Sequence, residues 1–170
     1  MGAGLNEGRH LGAHQVLAQL ARRVPWQREA LLEAFTPDRW FRTGDVGRVD
    51  ADGFLSVTGR LKDIIIRGGE NISAKEVEDL VITLPGLTDV AVVAMPDPVL
   101  GERVCAFVET DSDLRLEDIV QFLREQGVAS YKLPERLEQR LALPRNSAGK
   151  LRKDLMRAEV AALIEAGKAS

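Results

Sequence analysis

Four short stretches of this 170-residue chain hold side chains suited to chemistry. In Phe41-Arg42-Thr43-Gly44-Asp45 a carboxylate follows a glycine. Held on a tight turn, it can accept two hydrogen bonds from a vicinal diol such as a ribose, although Gly-Asp is also a common turn pair. In Gly59-Arg60-Leu61-Lys62-Asp63, Arg60 offers a rigid donor fork to phosphate or ribose oxygens. Charges at such a junction also suit a hinge, because they stay solvated through a swing; a plain surface salt bridge accounts for them equally well. Arg67-Gly68-Gly69-Glu70 lets a ligand approach the backbone closely, or simply turns a hairpin between Ile66 and Ile72. In Asn146-Ser147-Ala148-Gly149-Lys150 an ammonium follows a glycine at an expected helix start. It lacks the first Gly and the trailing Ser/Thr of a Walker loop, but on a mobile loop it can neutralise phosphate charge in a transition state. His10 and His14 stand four apart without a third ligand, so no metal site is expected. Cys105 falls in an apolar run, where a thiol is a small hydrophobe rather than a nucleophile.

The elements that must position these groups follow from periodicity. Residues 1–36 form a leader of unclear structure, with short helices expected near Val16–Val24 and over 27–35. Residues 46–58 read as a β-hairpin turning at Asp52-Gly53. Ile64-Ile65-Ile66 is a short strand. Ser73-Ala74-Lys75-Glu76 has the form of a capping box, and the helix after it carries Val77, Leu80, Val81 and Leu84 on one face. Val90–Met95 and Val104–Val108 read as buried strands, 116–126 as a helix ended by Gly127, and 136–143 as a further strand. A terminal helix over 150–166 is expected to turn Leu151, Leu155, Leu163 and Ile164 inward. The order hairpin, strand, helix, two strands, helix, strand, helix predicts an α+β fold. It is a small mixed β-sheet flanked by helices, preceded by a β-hairpin and a weakly structured N-terminal segment.

Composition narrows the class. The chain is 45% hydrophobic and 29% charged, as expected of a soluble globular protein. One Cys excludes a disulfide scaffold and a multi-Cys zinc site. No apolar run reaches the length of a membrane span, so a cytoplasmic location is expected. Residues 69–127 carry 13 acidic against 4 basic side chains, while 128–170 carry 9 basic against 5 acidic. The basic end reads as an anion site or a solvated helix face. A basic-helix nucleic-acid binder is disfavoured by the acidic middle and the single Tyr131.

Taken in order, these stretches resemble one family. WFRTGDVGRVDADGFLSVTGRLKDIIIRGGENISAKEVED is similar to two core motifs of the adenylate-forming enzymes joined by their hairpin, and LPRNSAGKLRKDL is similar to the last motif. The resemblance covers about Phe35 to Arg157 and leans toward acyl- and aryl-acid–CoA ligases, through IIRGGENISAKEVE and YKLPERLE. It implies a hairpin remnant of the large AMP-binding domain over 37–61 and the C-terminal lid domain over 62–170. It implies that a carboxylic acid is activated with ATP and Mg2+ to an acyl-adenylate and passed to coenzyme A. Asp45 and Arg60 would hold the AMP ribose, Lys62 would be the hinge, and Lys150 would bridge carboxylate and phosphate. Arg67, Gly68 and Gly69 would line the coenzyme A channel. Glu76 and Glu78 match the family's acidic pattern, with capping and surface roles sufficient for them. Arg39 stands where the family usually has Gly. With no phosphate loop and no Tyr-Gly-x-Thr-Glu motif in the chain, a truncated or split ligase, inactive alone, is expected, with an exposed apolar patch at Trp40-Phe41 and the hairpin. The alternative is a non-catalytic module docking on a large AMP-binding domain supplied in trans.

Overall fold

The computed structural model describes residues 33–38 and 40–168. His10, His14 and the helices expected before residue 33 lie outside the described residues. The chain divides into two units, one ending at Gly44 and one beginning at Asp45. In the first, Phe35 and Phe41 form an isolated antiparallel bridge with ring centroids 5.2 Å apart. Trp40 and Phe41 are exposed.

The second unit opens with the expected hairpin, β1 (Asp45–Val49) antiparallel to β2 (Leu55–Arg60). One 3-10 turn, Leu61–Asp63, leads into β3 (Ile64–Arg67), which reverses at Gly68-Gly69 into β4 (Glu70–Ser73). Then follow α1 (Ala74–Val81), β5 (Asp89–Asp97), β6 (Gly101–Glu109), α2 (Leu116–Glu125), β7 (Arg136–Arg140) and α3 (Lys153–Lys168). The larger sheet has the order β4-β3-β6-β5, with β7 parallel on β6 and the other pairs antiparallel. The mixed sheet and flanking helices are those the sequence predicts.

Strands β5 and β6 are apolar along their length because helices cover both faces. Val90, Val92, Val104, Ala106 and Val108 pack with Val77 and Val81 of α1 and Ile119 and Leu123 of α2. The alternate residues Ala91, Val93, Met95, Cys105 and Phe107 pack with Met156 and Val160 of α3. Each large side chain fully buried this way is worth ~1.5–3 kcal/mol of transfer free energy.

Two local expectations need correction. Ser73 caps α1, its hydroxyl accepting from the Glu76 N–H at 3.4 Å, but the reciprocal half of the box does not form. The Glu76 carboxylate instead accepts from Lys132 Nζ at 2.6 Å. The terminal helix begins at Lys153, so Lys150 precedes it rather than opening it. Its buried stripe is Met156 and Val160, with Ile164 partly buried against the same cluster, whereas Leu155 and Leu163 are exposed. Met156, Val160 and Ile164 recur every four residues, and that row lies on the sheet; the leucines flank it.

This phase is testable by urea denaturation. Met156→Ala should cost about 2–5 kcal/mol, and Leu155→Ala no more than about 0.5 kcal/mol. Equal losses would contradict the packing described.

Candidate functional site

The loop Arg145–Leu151 is a closed ring built by its own polar groups. The Asn146 carboxamide Oδ1 accepts from the Ala148 and Lys150 N–H groups, both at 3.0 Å. The Asn146 N–H donates to the Lys150 carbonyl at 2.9 Å, and Arg145 and Leu151 form an antiparallel bridge. Gly149 sits at φ +78°, a left-handed conformation that a Cβ would strain. Arg145 anchors the ring to the sheet by pairing with Asp89 at 2.7 Å and Glu109 at 3.2 Å. The ring leaves Lys150 exposed.

Lys62 stands on the middle of the 3-10 turn between β2 and β3, also exposed. Before it, Arg60 lies opposite Asp45 in the hairpin register, and its Nε donates to Asp45 Oδ1 at 2.9 Å. The two groups expected to hold a ribose are therefore paired with each other, at the surface.

Arg60, Lys62 and Lys150 all line one cleft of about 550 Å³. Arg152, Lys153 and Arg157 line it too, so six cations face two carboxylates, Asp63 and Asp154. Most of these cations are engaged: Arg152 with Asp154 at 2.6 Å, Lys153 with Glu78 at 2.6 Å, Arg157 with Asp63 at 3.1 Å. The hydrogen bond from Arg152 draws the Asp154 carboxyl down to about 2. Among the described residues, Lys62 and Lys150 have no ion-pair partner. Such a cleft is suited to an anion whose charge two free ammonium groups can meet.

Arg67, Gly68 and Gly69 do not line this cleft. They form the tip of the β3–β4 turn. Arg67 is half-buried and held by Glu135 at 2.7 Å; Glu135 also takes Arg103 at 2.5 Å, and Arg103 takes Asp97. The Gly68 N–H donates to the Leu100 carbonyl at 2.8 Å, fixing the tip against the β5–β6 turn.

Glu78 is the group that sequence reasoning underrated. It is not a surface residue: its carboxylate accepts from the Val92 N–H at 2.6 Å and from Lys153 Nζ, and it is half-buried. Burial pushes the Glu78 carboxyl above its ordinary value, and Lys153 and the Val92 N–H partly oppose this. The available signal was its place beside Val77, at the border of the apolar stripe. Cys105 is fully buried, and burial pushes its thiol up to about 12, consistent with an inert core residue.

The unit from Asp45 on is similar in sequence and fold to the C-terminal portion of adenylate-forming enzymes. Residues 76–150 match the family described as AMP-binding enzyme C-terminal domain. The chain is 44% identical over 135 residues to the medium-chain fatty-acid–CoA ligase of Escherichia coli K12, covering 78% of this chain and 24% of that one. It is 53% identical over 126 residues to a salicylyl-CoA synthase/salicylate adenylyltransferase of a Streptomyces species, covering 73% and 23%. ATP-bound MatB from Rhodopseudomonas palustris superposes with a TM-score of 0.72 at 32% identity, covering 78% of this chain and 27% of that one. The chain thus spans about a quarter of the length of the curated relatives it matches.

The state of Glu78 can be read from pH. A carboxyl raised by burial disfavours its ionised form in the folded chain, so its contribution to stability is lost as pH rises through that raised value. Glu78→Gln has no such loss. Its urea midpoint relative to the parent should therefore climb as pH rises through and above the ordinary glutamate range. A pH-independent difference would show that Glu78 does not titrate there.

Proposed function

We propose that residues 62–168 act as the lid of an ATP-dependent acid–CoA ligase, with the hairpin before them belonging to the body it closes on. The observation that carries this reading is the shared cleft: a ring-held Lys150 and a turn-borne Lys62, both exposed and unpaired by carboxylates, flank it with Arg60. In the first half-reaction a substrate carboxylate oxygen bonds to the α-phosphorus of ATP. The bond from that phosphorus to the bridging oxygen breaks, and pyrophosphate leaves. Negative charge builds on the phosphoryl oxygens, and Lys150 meets it while bridging to the carboxylate. Arg60 and Asp45 exchange part of their mutual pairing for the ribose hydroxyls. In the second half-reaction the thiol sulfur of coenzyme A bonds to the acyl carbon, its proton is lost and AMP departs. Lys150 is no longer wanted, and a swing about Lys62 removes it. The turn at Gly68-Gly69, with Arg67 beside it, then faces the pantetheine arm.

Magnesium would arrive with the nucleotide: no three His, Cys, Asp or Glu side chains gather as a metal cage among the described residues. The remaining groups come from a large AMP-binding domain, in one polypeptide with this lid or in trans. The exposed hairpin side chains Val49, Leu55 and Val57 favour such a covering partner. Isolated residues 1–170 are accordingly proposed to lack turnover. A docking module without catalysis predicts the same surface, but no dependence of a reaction on Lys150.

The test is a chimera in which residues 45–170 replace the matching segment of the Escherichia coli ligase. Pyrophosphate release and acyl-CoA formation are followed separately. Lys150→Ala should lower adenylation by about 10²–10³-fold while sparing thioester formation from a supplied acyl-adenylate. Lys62→Pro, which fixes φ and restricts the swing, should spare adenylation and depress the thioester step. A chimera indifferent to Lys150→Ala would overturn the reading.

A further inference from the structure

The cleft's two free lysines are each one short step along the chain from a half-buried ion pair. Lys62 precedes Asp63, whose Oδ1 accepts from Arg157 at 3.1 Å. Lys150 lies three residues before Lys153, which pairs with Glu78 at 2.6 Å. Lys153 and Arg157 are four apart on α3 and share one face of it. The carboxylate side chains are 15% exposed for Asp63 and 16% for Glu78, so neither pair is a solvated surface bridge. The charge of Asp63 helps to hold the Glu78 carboxyl up, so the two pairs act on each other.

We infer that Asp63, Arg157, Glu78 and Lys153 form one positioning cluster that fastens the turn bearing Lys62 to the root of α3, and thereby sets where Lys62 and Lys150 stand across their cleft. The inference rests on the proposed reading of those two lysines as the working groups. Three elements meet in the cluster: the 3-10 turn, α1 and α3. The Val92 N–H bonded to Glu78 adds β5. Asp63 is thus fixed to the body of the lid. Rotation between half-reactions is left to the residues before it, and the pivot lies at Arg60–Lys62. Breaking the cluster loosens the pivot relative to the Lys150 loop without removing either ammonium group.

The test uses the full chain with spin labels at Lys62→Cys and Lys150→Cys; Cys105, buried and poorly ionised, stays unlabelled. Pulsed electron–electron resonance reads the distance distribution between the labels. With the cluster intact a single narrow peak is expected. Asp63→Asn and Arg157→Gln should each widen it to roughly double, and together no further than the wider single variant. Glu78→Gln keeps an acceptor for the Val92 N–H and should widen it less; it carries the test if the other variants fail to fold. Variants that lower the melting temperature but leave the peak at its original width would overturn the inference, because a purely structural cluster behaves that way. The readout is a distance within this chain, so it stands or falls separately from the chimera's turnover.

Discussion

The carboxylate of Glu78 sits where three layers of the second unit meet. α1 packs on one face of the sheet and α3 on the other. Between their polar flanks runs β5, which pairs only with β6 among the described strands and so has a free edge. A free edge presents backbone N–H groups that must be satisfied or covered. Glu78 reaches from α1 to accept the Val92 N–H and, with the same oxygen, the ammonium of Lys153 from α3. One group therefore satisfies an N–H of that edge and ties the helices of opposite faces together. Its partial desolvation is costly, and removing either partner would leave the other with a half-buried, unmet charge. Without that tie, α3 would be held mainly by a narrow apolar row.

The two lysines of the cleft are presented by opposite constructions. Lys150 stands on a backbone ring closed by Asn146, and the Arg145 pairs pin the ring to Asp89 and Glu109. Lys62 stands on a single short 3-10 turn, closed at its end by the Ile64 N–H to the Leu61 carbonyl. The proposed reaction, with one cation held still and another at a pivot, fits this asymmetry. The neighbouring cations do not compete for an incoming anion on equal terms. Arg152, Lys153 and Arg157 are already met by Asp154, Glu78 and Asp63, so they shape the field while the two free ammonium groups make contacts.

The sequence disclosed most of the fold and singled out Lys62 and Lys150, which the structure brings to one cleft, but it did not disclose the polar interior. β5 and β6 were legible because strands covered on both faces must be apolar throughout. The phase of α3 was not: Leu155 and Leu163 outweigh Met156 and Val160 on hydropathy, yet α3 crosses the sheet on one row and leaves the leucines at its margins. The capping box was half legible. Ser73 needs only its own helix, whereas the Glu76 carboxylate is claimed by Lys132, 56 positions away in sequence. Asp63–Arg157, Glu78–Lys153 and Arg67–Glu135 are likewise pairs between distant segments. Periodicity reads one segment at a time and cannot see them. Arg67 shows the consequence, since a residue expected at a channel is first of all a strut for the turn that would line it.

The hairpin raises the question of whether its exposed apolar face is built in or an accident of register. Side chains alternate along a strand, so a slip of one residue would turn Val49, Leu55 and Val57 to the other face. Val49 lies opposite Leu55, and Val57 follows two residues on, so all three share a face. The register shifts between Val46 and Gly47, and this irregularity fixes the pairing. A Cβ at residue 47 would come within 3.0 Å of Leu55 Cδ1 and 3.1 Å of the Ser56 carbonyl, so glycine is what permits the close approach. The chain also closes the other end, where Ser73 Oγ donates to the Thr58 carbonyl at 3.0 Å and joins β2 to the root of α1. Register is thus determined from both ends, and it presents the apolar face outward. A two-stranded ribbon with such a face gains little by itself. That outward apolar face is the surface the proposed large domain would cover.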